Sequence, residues 1–238
     1  IERATIAMNK FGKWSPSEVV TPIAVCNKMI DQIEDNKLKK IFLKKGKVLD
    51  VASKIAEFSV AIYEKIISLG MDSNTINDII YSIPTSSIAY EFTRKVYEIL
   101  NLNVNNIASN FTTYDLLGVK DENGSIDYNQ INKYIFQNKE FSEIELDNLF
   151  YKEGGKKMYF DVIVGNPPYQ ENIGGSANQS LGKQLYPSFI QMAINMEPQY
   201  ISMITPSRWF TGNAQDRSFT NLREFINHHN HFRKIVNY

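Results

Sequence analysis

Phe160-Asp161-Val162-Ile163-Val164-Gly165-Asn166-Pro167-Pro168-Tyr169 is the stretch that decides the fold. A polar approach, Gly154-Gly155-Lys156-Lys157, leads into a short apolar run that stops at Gly165. Such a run reads as a strand covered on both faces, as in parallel sheets. Asn-Pro-Pro-Tyr follows at its carboxyl end, where ligands sit in open α/β sheets. Neither proline offers an N–H, so a ladder cannot continue through them. Each also holds the residue before it extended. The expected product is a stiff loop presenting the Asn166 amide, the Pro167 carbonyl and the Tyr169 ring at a fixed geometry. Taken alone, the tetrapeptide also fits a rigid structural turn or a proline-rich ligand for a partner domain.

Strand–turn–helix units recur on both sides of this stretch. Lys47 to Ser53 reads as a first strand and turn. Phe58, Ala61, Ile62, Ile66 and Leu69 then repeat at helical spacing, and Gly70 ends the helix. Asp78 to Ile83 reads as a second strand, and Ile88, Phe92, Val96 and Ile99 mark the helix after it. Asn105 to Ser109 is a third strand candidate. Beyond the loop, Leu185, Phe189, Met192 and Ala193 predict a helix with Pro187 in its first turn. Tyr200 to Ile204 is the next strand, and Thr205 to Phe210 leaves its carboxyl end. Phe219, Leu222, Phe225 and Ile226 mark a last helix, and Arg233 to Asn237 a last strand. This alternation calls for α/β: a doubly wound, mostly parallel sheet with helices on both faces.

The 238 residues suffice for one such domain, and 43% hydrophobic with 22% charged residues is ordinary globular composition. No stretch reaches the apolar length of a membrane span, and no signal peptide is visible. The single Cys26 excludes an internal disulfide framework and a cysteine metal site, and suits a reducing, cytoplasmic setting. His228, His229 and His231 lack a zinc-ligand spacing and read as a polar surface turn. No metal is expected. Net charge is zero, without the basic excess of a complete nucleic-acid binder, although a local basic groove remains compatible. Lys37, Lys39, Lys40, Lys44, Lys45 and Lys47 form a basic run, read as a solvated face in preference to a DNA-backbone contact. Thr21 is a good N-cap and Pro22 suits the first helical position before Cys26, Met29, Ile30 and Ile33. The chain has no starting Met and stops just after an apparent strand, so it reads as a domain cut from a longer protein.

Asp161, Ile163 and Asn166 to Tyr169 form Asp-x-Ile-x-x-Asn-Pro-Pro-Tyr. This resembles the catalytic motif of S-adenosylmethionine-dependent amino-methyltransferases, above all the DNA adenine methyltransferases of restriction–modification enzymes. The resemblance implies a Rossmann-like methyltransferase catalytic domain over 1–238, with an N-terminal helical segment at 1–40 and an insertion at 118–157. Trp14 to Met29 resembles the segment placed before the cofactor motif in the γ-type order, where a Thr-Pro turn, here Thr21-Pro22, closes over the methionine end of the cofactor. Asp50, Ala52 and Phe58 match the cofactor motif Asp-Pro-x-x-Gly-x-Gly-x-Phe. Val51 replaces its proline, Lys54 its first glycine and Ala56 its second, and Ile55 is bulkier than expected. The resemblance implies Glu57 as the extra acid near the cofactor's amino group. Where the family usually ends the second strand in a ribose-binding acid, this chain has Pro84-Thr85-Ser86. Asn110-Phe111 and Asp115-Leu116 both resemble the adenine-contacting motif, with Asp115 and Leu116 favoured.

The family chemistry assigns catalysis to Asn166, Pro167, Pro168 and Tyr169. Asn166 and the Pro167 carbonyl accept the two hydrogens of an extruded base's amino group, and Tyr169 stacks on that base. Asn at the first position suits adenine. Double-stranded DNA is the implied partner, through a target-recognition region after residue 238, with a nuclease or helicase fused upstream. Other enzymes with the Asn form methylate protein glutamine or RNA guanine, and the altered cofactor turn also fits a non-catalytic scaffold. Residues 118–157 carry a turn at Asp121 to Gly124 and a capping-box pattern, Ser142-x-x-Glu145. The polar loop from Gln170 to Lys183 reads as a lid or binding loop.

Overall fold

The computed structural model describes residues 13–15, 18–109, 111–118, 120, 122–124, 126–127, 160–170, 184–212, 214, 217–229, 234 and 236. Four parallel strands form the centre: β3 (Val48–Ser53), β4 (Ile80–Pro84), β5 (Val162–Gly165) and β6 (Tyr200–Met203), in the order β4-β3-β5-β6. The chain runs from β3 to its neighbour β4, then crosses back to place β5 on the other side of β3. The strand order therefore reverses between β3 and β5, which is where α/β sheets open a crevice for ligands. Register pairs Asp50 with Val164 and with Ser82, so the three strands end nearly level.

Period-two alternation explains how helices cover both faces. Val48, Ile80, Val162 and Val164 join one core with α1 (Ile23–Ile30), α2 (Asp35–Leu43), α3 (Glu57–Ser68) and α4 (Ser87–Leu100). Leu49, Val51, Tyr81, Ile83 and Ile163 join the other, with Phe189, Met192 and Ala193 of α5 (Tyr186–Asn195). Every residue of β5 is buried, and each aliphatic side chain there contributes on the order of 2 kcal/mol relative to exposure. Gly165 lets β5 end close against β3: a Cβ there would lie 2.8 Å from Val51 Cγ1. Asp161, at the opposite end of the strand, accepts from the Lys47 N–H at 3.0 Å and the Gln199 amide at 2.7 Å. It pins the strand starts, far from the ligand end.

Several expectations shift. The N-terminal segment is not wholly helical: β1 (Lys13–Ser15) and β2 (Glu18–Val19) form an antiparallel pair before α1. Asn105 to Ser109 is no strand. It begins as a 3-10 turn, Val104–Asn106, and touches the sheet through one parallel bridge, Ile107 to Ser82. The second strand starts two residues late, at Ile80, because Asn77 and Asp78 are engaged by Asn103. In α4 the buried face is Ala89, Thr93, Val96, Tyr97 and Leu100, while Ile88 is 62% and Ile99 57% exposed. The reason is a buried polar cluster. Tyr97 Oη lies 2.8 Å from Ser82 Oγ and 3.2 Å from Ser59 Oγ, and Thr93 Oγ1 lies 3.1 Å from Ser53 Oγ. His228 and His229 close the last turn of α6 (Ser218–His229) in place of a surface turn.

Lys37 pairs with Glu34, Lys47 lies over the Tyr81 ring, and Lys39, Lys40, Lys44 and Lys45 are exposed. The turn at Glu122 to Gly124 is present, flanked by a bridge between Lys120 and Ile126. Gln170 bridges Gln184, closing the base of the loop between them. Asn110, Ser142-x-x-Glu145, the Gly154 to Lys157 approach, His231 and the interior of the 170–183 loop lie outside the described residues. So does most of the 118–157 insertion. Of the Arg233 to Asn237 strand only Lys234 and Val236 are described, neither in a strand. Among the described residues no helix is long and apolar enough to cross a membrane, and no group of His, Cys, Asp or Glu could hold a metal ion.

Candidate active site at the strand switch

Asn166, Pro167 and Pro168 are buried and Tyr169 is half-buried. Asn166, 7% exposed, is fixed from the N-terminal segment. Its Nδ2 donates to Thr21 Oγ1 at 3.1 Å and to the Val19 carbonyl at 3.5 Å. A carbonyl can only accept, so the amide nitrogen must face Val19. Asn166 Oδ1 is left buried with no hydrogen-bond partner. Tyr169 packs edge-on against Tyr186, centroids 6.2 Å apart. Burial pushes its phenol up, and the Asn166 side chain opposes that shift.

Thr21 is therefore not the helix cap. Pro22 takes that position, its carbonyl accepting from Val25 and Cys26, and the Thr21 hydroxyl serves Asn166 instead. Burial, then the nearby Glu57 and Asp50, push the Cys26 thiol far up, so it stays an uncharged core group.

The turn after β3 keeps a glycine-like shape without glycine. Ala56 sits at φ 63°, left-handed, as the cap of α3. An ordinary residue is held there at a cost of about 1–2 kcal/mol. Ser53 Oγ accepts from the Ala56 N–H at 3.2 Å. Glu57 Oε2 accepts from the N–H groups of Lys54 at 3.3 Å and Ile55 at 3.0 Å. Glu57 thus caps its own loop, and its Oε1 is buried and unpartnered, as is Asp50 Oδ2. Burial pushes the Asp50 carboxyl up to about 8, with Glu57 adding to the shift and Lys54 opposing it. Ala52 and Phe58 are fully buried core residues.

Asp115 is exposed and bound to its own turn: Oδ2 accepts from the Thr112 N–H at 2.6 Å and hydroxyl at 3.0 Å. Leu116 behind it is buried. Thr113, which periodicity could not single out, ties this turn to the strand ends. Its hydroxyl lies 3.0 Å from the Val51 carbonyl, 3.2 Å from that of Ile83 and 3.2 Å from that of Pro84.

A cavity of about 10 Å³ lies between the two loops, lined by Val19, Lys54, Thr85, Asn166, Pro167, Pro168 and Tyr169. Of the sequence-derived site residues, only Asn166 to Tyr169 reach it. Val19, Lys54 and Thr85 are additions. Thr85 Oγ1 is buried and unpartnered. Its place after β4 was the available signal, since the motif resemblance implies a ribose-binding acid there.

The Eco57I restriction-modification methylase family model matches residues 50–238. An uncharacterized adenine-specific methylase of Mycoplasma pneumoniae (strain ATCC 29342 / M129 / Subtype 1) is 33% identical over 103 residues, 43% of this chain and 24% of that protein. The cryo-EM structure of a DrdV–DNA complex superposes with a TM-score of 0.51 at 13% identity, covering 95% of this chain and 23% of that one. At that identity the likeness speaks to the fold alone. The chain spans about a quarter of the length of each of these two proteins. With the family model covering most of the chain, the chain belongs to the Eco57I restriction-modification methylase family.

Proposed function

We propose that this domain transfers a methyl group from S-adenosylmethionine to the exocyclic amino group of adenine in DNA, as the modification part of a restriction–modification enzyme. One observation carries the proposal: the buried, unpartnered Oδ1 of Asn166, oriented by Thr21 and Val19. An amine presents hydrogens and needs acceptors. Asn166 Oδ1 accepts one hydrogen and the Pro167 carbonyl the other, which draws the lone pair out of conjugation with the ring. Once the nitrogen has taken the methyl group and the carbon–sulfur bond has broken to leave a neutral thioether, it carries one hydrogen too many, and that proton leaves to solvent, so no strong base is needed. Pro168 keeps the loop rigid, and Tyr169 stacks on the extruded base. Most of the acceleration is positioning and directed dipoles.

The residues around the β3 turn fit the cofactor. Asp50 Oδ2, Glu57 Oε1 and Thr85 Oγ1 are buried polar atoms without partners, as a polar ligand requires. In this proposal Asp50 and Glu57 accept from its ammonium group and Thr85 meets its ribose. Ala52, Ala56 and Phe58 shape the turn around it, with Pro22 next to Thr21 at the methionine end and Asp115 and Leu116 at the adenine end. When bound, S-adenosylmethionine supplies a methyl group on a positively charged sulfur.

The test is labelled methyl transfer by the parent protein to unmodified DNA, followed by digestion to nucleosides. Label is expected in N6-methyldeoxyadenosine. Label found only in protein or RNA would overturn the substrate assignment.

A further inference from the structure

Lys54 stands where a glycine-like residue would let backbone approach the cofactor, yet it is 2% exposed. Its ammonium does not point to solvent. Nζ donates to the Asn166 carbonyl at 2.9 Å and lies 3.5 Å from the Ala52 carbonyl. One side chain of the β3 turn thus reaches the substrate loop, 112 positions away. A buried ammonium is costly unless acceptors and opposite charge surround it. The acceptors are the two carbonyls, and Asp50 and Glu57 lie buried on either side of Lys54 in the same strand and turn.

The carbonyl it holds belongs to the peptide joining Asn166 to Pro167. That peptide has no N–H, so its oxygen is the one polar handle by which it can be fixed. Rotating it would move the Asn166 side chain on one side and the Pro167 carbonyl on the other, the two acceptors assigned to the amine.

We propose that Lys54 is a positioning residue: it locks the Asn166–Pro167 peptide so that both acceptors face one amino group, and it ties the substrate loop to the cofactor loop. This rests on the amine-gripping role given above to Asn166. The test uses Lys54→Met, which keeps the apolar stem and removes the donor, and Lys54→Gln, which restores an uncharged donor, both in the full parent protein. For Lys54→Met, kcat should fall at least 30-fold, while cofactor Kd by calorimetry and KM for DNA stay within threefold. Lys54→Gln should recover part of kcat, and it alone is scored if the Met variant does not fold. Unchanged kcat in the folded variants, or a loss of cofactor affinity as large as the loss of rate, overturns the proposal. Crystal structures of the variants decide without activity: the Asn166 carbonyl should rotate, and its superposition on the unaltered protein would overturn the proposal. If the unaltered parent moves no methyl to DNA, the functional proposal fails by itself and the crystal structures still judge Lys54.

Discussion

The loop at 165–169 and the turn at 53–57 leave the carboxyl ends of the two neighbouring inner strands, and they keep their form by different means. The 165–169 loop carries its stiffness in its backbone, through two prolines in sequence and a close approach at Gly165, and Thr21 fixes its Asn166 amide from outside. The β3 turn has Lys54 and Ala56 where the motif it resembles has glycines. It is held by side-chain hydrogen bonds among its own residues, with the Glu57 carboxyl on two N–H groups and Ser53 Oγ on a third, and by Ala56 in a left-handed conformation. A loop made of special residues is legible as a motif. A loop made of ordinary residues joined by their own side-chain hydrogen bonds is not.

The largest effect should fall on the substrate loop. Asn166→Ala is expected to lower kcat by about 10²–10³-fold, the range for removing one directed group at a reacting centre, with cofactor affinity changed by less than threefold. Retention of full activity would remove Asn166 from the chemistry. Thr21→Val deletes the acceptor that orients Asn166, a hydrogen bond of about 1–1.5 kcal/mol, so kcat should drop about tenfold. Thr21→Ser, which keeps the hydroxyl, should restore most of it. Equal losses in both variants would show that packing, not orientation, is at stake.

On the cofactor side the expected effects are on stability. The folded Asp50 carboxyl titrates near 8, above its unfolded value of about 3.9. The folded state therefore holds a proton that the unfolded chain releases. Its contribution is fully present below pH ~4 and is lost as pH rises through about 8. Asp50→Asn should flatten this slope, so that its thermal midpoint exceeds that of the unaltered protein by more at pH 8 than at pH 5. A constant difference across that window would contradict the buried, protonated carboxyl. The smallest effect concerns Ala56. Ala56→Gly relieves about 1–2 kcal/mol of left-handed cost and loses about 0.8 kcal/mol of methyl burial and about 0.5–1 kcal/mol of chain entropy. Chemical denaturation should place it within about 1 kcal/mol of the unaltered protein. Ala61→Gly, buried in the same helix, should cost about 2 kcal/mol.

The sheet was legible because its strands are short, apolar and bounded by turn residues, as Val162 to Gly165 and Val48 to Ser53 illustrate. The face of α4 was not. Thr93 and Tyr97 point inward because their hydroxyls meet Ser53, Ser59 and Ser82, and apolar periodicity cannot count a polar atom that has a buried partner. Asn166 could be singled out from local sequence, the apolar strand before it and the two prolines after it. Lys54 could not, since its hydrogen bond reaches a carbonyl far along the chain. Thr21 was legible as a turn residue before a helix, but its service to Asn166 needed the fold.

The contrast between the loops turns on whether the β3 turn, without its glycines, still holds the cofactor. Titration calorimetry of the parent protein with S-adenosylmethionine measures this directly. One cofactor should bind per chain, and Asn166→Ala should bind it with the same affinity within threefold. No heat of binding from the folded parent protein would contradict the account and leave a methyltransferase fold without its chemistry.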